Sequence, residues 1–217
     1  MKTRIIVVRH AQSEGNLNKE FHGQYNSDIT EFGITQAQCT AKALENVHFD
    51  KAFSSDIRRA FSTTSIIAKP HKLTVEKDAG LRELYAGEWE KGKFDDLKTL
   101  YPDQYDQWYT NLADFTCPGG ESIRFLQQRV NDTIQKIVKT NPGKTLLIGT
   151  HATPIRVMGC IWHRIPLQDI LTLNWVPNAS YSTIDYDCDS LEFELINYAV
   201  CSHLEEKNLL TELPKNI

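Results

Sequence analysis

The hydrophobic positions of the chain fall into two alternating kinds of run. Ile5-Ile6-Val7-Val8 and Leu146-Leu147-Ile148 are short and unbroken, the pattern of strands covered on both faces. Elsewhere apolar residues recur at helical spacing. Ala37, Ala41, Leu44 and Val47 predict an amphipathic helix over 33–47, after a polar loop over 17–32 in which Thr30 is placed as the cap. Lys51–Ser54 predicts a short strand. Ser55 or Asp56 would cap a second helix running to about Ala68, ahead of Pro70, and 73–76 predicts another strand. A long helix is predicted over 121–140 from the stripe Ile123, Leu126, Val130, Ile134, Ile137 and Val138, stopped by Asn141-Pro142-Gly143. Thr145–Thr150 reads as a strand, and a helix follows from about Pro154, where proline is tolerated in the first turn. Residues 181–186 and 191–196 predict a terminal antiparallel hairpin, and residues from about Leu204 a surface tail.

Strand alternating with helix implies parallel βαβ units, and hence a three-layer α/β/α fold with a mostly parallel central sheet. Residues 81–120 break the rhythm. They hold Phe94, Tyr101, Tyr105, Trp108, Tyr109 and Phe115, punctuated by Pro102 and Pro118-Gly119-Gly120. Short helices forming a small lid are expected there, inserted into a single domain spanning 1–217.

Composition narrows the function classes. With 217 residues, 41% hydrophobic and 24% charged, the chain reads as an ordinary soluble domain. A net charge of −4 argues against a nucleic-acid or anionic-membrane surface. No apolar run approaches a membrane span, and residues 5–8 are too short for a signal peptide. The five cysteines are scattered without a Cys-x-x-Cys pair, which suits reduced thiols and a cytoplasmic location. Asn178-Ala179-Ser180 matches a glycosylation acceptor, read as chance without a secretory signal.

The candidate chemistry lies where the two strong strands end. Arg9 and His10 follow the first and His151 the second. In open α/β sheets ligands bind beyond the carboxyl ends of the strands, and adjacent strands are about 4.8 Å apart. Either histidine alone reads as a satisfied strand-end residue. Together with Arg9 they point to a site for a small anionic group, since a neutral imidazole is a nucleophile and a guanidinium forks onto phosphate oxygens. Ser54-Ser55-Asp56-Ile57-Arg58-Arg59-Ala60 is a strand-to-helix turn at the same end. Its helix N-terminus favours anions, and Arg58 or Arg59 could add charge; the commoner alternative is a solvated helix face. No metal site is expected, because His10 and Glu14 lack a His-Glu-x-x-His pattern and no carboxylate cluster stands out.

Five motifs in order, namely Arg9-His10 with Glu14 and Asn16, Ser54-Ser55-Asp56 with Arg58, Leu81-Arg82-Glu83 with Gly87 and Trp89-Glu90, Pro118-Gly119-Gly120-Glu121-Ser122, and Thr150-His151 with Ile155-Arg156, resemble the histidine phosphatase superfamily, the phosphoglycerate mutase-like proteins. The resemblance implies a metal-independent phosphomonoester hydrolase without a cofactor, acting on a small-molecule phosphate. It implies His10 as nucleophile, Arg9, Arg58 and His151 as the phosphate clamp, and Glu83 as proton donor to the leaving oxygen. Asn16, Gly23 and Ala152 are implied at the substrate. An alternative for Glu83 is a surface carboxylate paired with Arg82.

The same resemblance admits two other functions, a mutase-type phosphotransferase and a non-catalytic phospho-ligand sensor. Around Glu83 the chain is similar to the phosphatase branch, and residues 91–120 hold no arginine but do hold Asp95, Asp96, Asp103, Asp106 and Asp114. Relatives often have glutamine before the loop glycine where this chain has His22 before Gly23. A further expectation is that some of Phe94, Tyr105, Trp108 and Tyr109 line the pocket mouth, the alternative being that they pack the lid.

Overall fold

A computed structural model describes residues 1–211. Its first strand, β1 (Lys2–Arg9), is an inner strand, with Ile5–Val8 buried on both faces. The chain then makes a one-turn helix α1 (Glu14–Leu17), unpredicted from periodicity because it is too short to show any, and α2 (Glu31–Ala43). Thr30 caps α2 as expected, its hydroxyl accepting the Gly33 N–H at 3.0 Å. The strand β2 (Lys51–Ser54) leads into α3 (Arg58–Ala68), and β3 (Val75–Lys77) follows. Two short helices, α4 (Phe94–Leu100) and α5 (Pro102–Thr110), precede the long α6 (Ile123–Lys139), whose predicted apolar stripe is buried throughout. The strand β4 (Thr145–Thr150) runs into α7 (Ala152–His163), and the hairpin β5 (Tyr181–Asp187) and β6 (Glu192–Val200) is followed by α8 (Ser202–Glu205).

The six strands lie in the order β3-β2-β4-β1-β5-β6. The pairs β3–β2, β2–β4 and β4–β1 are parallel, while β5 and β6 close one side antiparallel. Successive side chains of β1 go to opposite faces. Ile6 and Val8 join Ala41, Leu44, Ile67 and Leu147 in one core, and Ile5 and Val7 join Val130, Ile134, Leu146 and Ile148 in the other. Helices α2 and α3 thus cover one face and α6 and α7 the other, giving the expected three layers.

Three expectations change. The aromatic residues of 81–120 turn inward: Trp89 and Phe115 are fully buried, Trp108 is buried, and Phe94, Tyr105 and Tyr109 pack half-buried against them. Phe21 joins from the first loop, with ring centroids 4.9 Å from Trp108 and 5.3 Å from Trp89. These rings have more apolar area to hide than a pocket rim would leave exposed, so they fasten the insertion to the domain instead of lining a mouth. The second helix begins at Arg58 with Ile57 at the cap position, because Ser55 and Asp56 have other partners: His151 and Arg82. The chain after β6 is no free tail: Leu204 is fully buried and Cys39 Sγ donates to the His203 carbonyl. The last part of that expectation, 212–217, lies outside the described residues.

No helix among the described residues is long and apolar enough to cross a membrane, and the five cysteines are free.

Candidate active site

Parallel pairing of β1 with β4 sets Arg9 opposite Thr150, and the His10 N–H donates to the Thr150 carbonyl at 2.9 Å. The two histidines therefore leave adjacent strand ends side by side, with ring centroids 5.2 Å apart. Both are buried. His10 Nδ1 lies 2.7 Å from the Ala11 carbonyl oxygen. That oxygen can only accept, so the proton sits on Nδ1 and the lone pair on Nε2. Burial, reinforced by Arg59, His151 and Arg9, holds His10 well below the usual histidine range. Neutral and oriented, its Nε2 is a nucleophile. His151 is likewise depressed by burial first and Arg59 second. Its Nε2 meets the Ser55 hydroxyl at 2.9 Å, and its buried Nδ1 has no partner among the described residues.

The arginine that reaches His10 is Arg59. Its Nε donates to His10 Nε2 at 3.3 Å, while Nη1 and Nη2 are held by the carbonyls of Tyr25 at 2.7 Å and Gly23 at 2.8 Å. Arg58, expected in the clamp, is half exposed and donates instead to Asp28 Oδ2 at 2.9 Å. Consecutive helical positions are about 100° apart, so only one of the pair can face the sheet, and the observed helix start selects the second. Close approach of α3 depends on Gly149 of β4, where a Cβ would fall 1.6 Å from Thr64 Oγ1.

Arg9 donates through Nη1 to the Val176 carbonyl, and its guanidinium carbon lies 5.2 Å from the centroid of the Trp175 ring. Its buried Nε has no partner among the described residues. Burial brings Arg9 and Arg59 down to about 10, still cationic at neutral pH. Glu83 contributes the largest favourable charge on each.

Glu83 is buried, not a surface partner of Arg82. Arg82 forks onto Asp56 at 2.6 and 2.5 Å. The Glu83 carboxylate accepts the Leu84 N–H at 2.8 Å and, more weakly, the Thr153 N–H of α7 at 3.4 Å. Burial raises its pKa against these hydrogen bonds and Arg59, which suits a group that must hold a proton and give it up.

The other expected contacts divide. Asn16 sits beside the histidine loop, its Oδ1 accepting from Ser13 N and Oγ, both at 3.1 Å. Gly23 serves Arg59 through its carbonyl; its φ of +53° and a Cβ position 2.5 Å from Ala86 Cβ leave room for no side chain. Ala152 is the buried first residue of α7. Sequence reasoning did not place His22 in the site, although its replacement of glutamine before Gly23 was the signal. Its ring lies 6.4 Å from that of His10 and its Nε2 3.0 Å from Ser13 Oγ, and burial, then Arg59 and Arg9, lowers it to about 3. An open groove of about 720 Å³ borders the same segments through Gln24 and Tyr85 and continues to Phe125. Tyr85 and Phe125 are 46% and 61% exposed, so this groove presents aromatic surface.

The described residues hold no group of three or more His, Cys, Asp or Glu side chains placed to bind a metal ion. The arrangement offers one oriented imidazole lone pair, two buried guanidiniums and a buried carboxyl group. That is a set able to accept a phosphoryl group and protonate what leaves it.

Comparison with known proteins agrees in sequence and in shape. Residues 5–199 match the family model of the histidine phosphatase superfamily (branch 1). Phosphoserine phosphatase 1 of Hydrogenobacter thermophilus is 29% identical over 181 residues, covering 83% of this chain and 85% of that protein. A 2,3-bisphosphoglycerate-dependent phosphoglycerate mutase of Allorhizobium ampelinum is 28% identical over 184 residues, covering 80% and 86%. Among solved structures, Bacillus stearothermophilus YhfR superposes with a TM-score of 0.89 at 25% identity, covering 93% of this chain and 99% of that one.

Proposed function

Because the chain belongs to the histidine phosphatase superfamily, we propose that it hydrolyses a small-molecule phosphomonoester through a phosphohistidine on His10, without a metal ion. One observation carries this reading: a neutral His10 with its lone pair on Nε2 shares its buried site with two cationic guanidiniums, Arg9 and Arg59. A buried cation is costly without a counter-charge, and a phosphoryl group supplies one. His10 Nε2 attacks phosphorus, forming the N–P bond as the P–O bond to the alcohol breaks. Glu83 gives its proton to the departing oxygen. Arg9, Arg59 and His151 hold the three equatorial oxygens, where charge spreads in the transition state. Water then attacks phosphorus, Glu83 takes its proton, and the N–P bond breaks to release phosphate.

Hydrolysis is favoured over mutase transfer by residues 91–120, which carry five aspartates and no arginine to hold a second anionic group. The test is turnover of p-nitrophenyl phosphate and natural monoesters in the presence of chelator, with 3-phosphoglycerate and its bisphosphate primer as the mutase arm. His10→Asn is expected to lose at least about 10³-fold in kcat, the scale for deleting a nucleophile. Retained turnover in His10→Asn, or mutase activity without hydrolysis, overturns the proposal.

A further inference from the structure

The segment after α8 returns to the loop that carries His10 and joins it through two buried side chains. Thr211 Oγ1 donates to Asn178 Oδ1 at 3.1 Å. The same carboxamide donates through Nδ2 to the His10 carbonyl at 3.0 Å and to Asn16 Oδ1 at 3.2 Å. Two residues earlier, the Leu209 carbonyl accepts Gln36 Nε2 at 2.7 Å, and Gln36 Oε1 accepts the Gln12 N–H at 2.8 Å. Both Gln36 and Asn178 are buried. Each side chain therefore has one end on the C-terminal segment and the other on residues 10–16. The segment itself is seated by Leu204, fully buried in a cluster with Ala37 and Cys39, and by Thr40 Oγ1 3.0 Å from His203 Nε2.

The consequence falls on Asn16. Its Oδ1 takes Ser13 N–H and Oγ–H together with Asn178 Nδ2–H. A carbonyl oxygen has two lone pairs, so three donors saturate it. The amide cannot flip without losing them all, and its NH2 end is the end kept for a phosphoryl oxygen. Asn178 also fixes the His10 carbonyl, and so the backbone from which the nucleophilic ring projects. The His10 carbonyl can only accept and so takes the Nδ2 end of Asn178, and Thr211 holds the opposite, Oδ1 end with a donated hydrogen bond. Asn178 is thus no glycosylation site but part of this frame.

We propose that the C-terminal segment Leu209–Thr211 is a positioning element for the phosphoryl pocket, acting through Asn178 on Asn16 and His10. This rests on the reading of that loop as the phosphoryl site. Neither Thr211 nor Asn178 touches the reacting atoms, so both are positioning residues. The discriminating pair is Thr211→Val, which removes the hydroxyl at nearly constant volume, and Thr211→Ser, which restores it. The readouts are the Kd for orthovanadate, kcat and KM for p-nitrophenyl phosphate, and the urea midpoint.

Thr211→Val is expected to weaken orthovanadate binding and lower kcat/KM by about 3- to 10-fold, the range for one hydrogen bond. The urea midpoint should fall by no more than one lost hydrogen bond accounts for, and Thr211→Ser should recover affinity and kcat/KM to within about twofold. In an Asn16→Ala background, Thr211→Val should cost far less in orthovanadate affinity, because its route passes largely through Asn16. The inference is overturned if Thr211→Val equals wild type, or if its loss is undiminished beside Asn16→Ala. Orthovanadate titration separates the two readings. Wild-type protein that binds orthovanadate but hydrolyses no ester refutes the phosphatase reading and leaves the positioning role standing; a silent Thr211→Val refutes the positioning role alone.

Discussion

A single position separates Arg58 from Arg59, and it decides which of them meets His10. Arg59 is buried with its Nε on His10, whereas Arg58 forms an exposed pair with Asp28. Arg59→Ala should therefore lower kcat/KM by about 10²- to 10³-fold, the scale for one preorganised charged donor. Arg58→Ala should change it by less than about twofold, because exposed ion pairs contribute little. Kinetics of the two variants on one ester checks this directly. Glu83 makes a second residue-scale prediction, with two signs. If Glu83 is the proton donor proposed above, Glu83→Gln should slow esters of alkyl alcohols by about 10²- to 10⁴-fold, and p-nitrophenyl phosphate much less, since that leaving group departs without a proton. Burial raises the Glu83 pKa in the folded protein. Its contribution to stability is therefore fully present below the unfolded value and is lost as pH rises through the folded one. A glutamine stays neutral at every pH, so Glu83→Gln should have the higher urea midpoint at pH 8 despite its lower activity.

At the scale of elements, the insertion over 81–120 shows how one composition serves two architectures. A run of aromatic residues fits a pocket mouth or a packed insertion equally well, and burial decides between them. Trp108 contacts Phe21 and Phe115, with ring centroids 4.9 and 5.1 Å away. Trp108→Ala should therefore lower the unfolding free energy by about 3–5 kcal/mol, measured by urea denaturation. A mouth residue would instead change substrate preference at constant stability. The strands and long helices were legible because their periodicities are long and clean: Lys51–Ser54 and Thr145–Thr150 are observed at their expected bounds, and the α6 stripe is buried in full. Helix starts were less legible. At α3 the good capping residues Ser55 and Asp56 were engaged by His151 and Arg82, partners that lie far along the chain. At α7 the helix begins at Ala152, two residues ahead of Pro154, so that His151 occupies the cap position.

For the whole molecule, the buried histidines tie stability to pH. His10, His22 and His151 all have pKa values depressed by burial, His22 to about 3. Between those values and the unfolded value of about 6.5 the unfolded chain binds more protons. Stability is thus fully present above about pH 6.5 and is lost as pH falls, each histidine contributing up to about 1.4 kcal/mol per pH unit. Urea midpoints from pH 7 to pH 4 should fall steeply, and less so in His22→Gln, whose side chain takes up no proton. What the sequence by itself determined was the alternation of strand and helix, the delivery of His10 and His151 to two strand ends, and the order of motifs that marks the family. These are local or periodic properties, set by side-chain type and spacing along the chain. Only the tertiary structure decided that Arg59 and not Arg58 joins His10, that Glu83 is buried while Arg82 pairs with Asp56, that His22 stands beside His10, and that Thr211 reaches Asn178. Each of those depends on which groups meet across a large sequence separation, and on which side of a helix or loop is withdrawn from water. No periodicity records either.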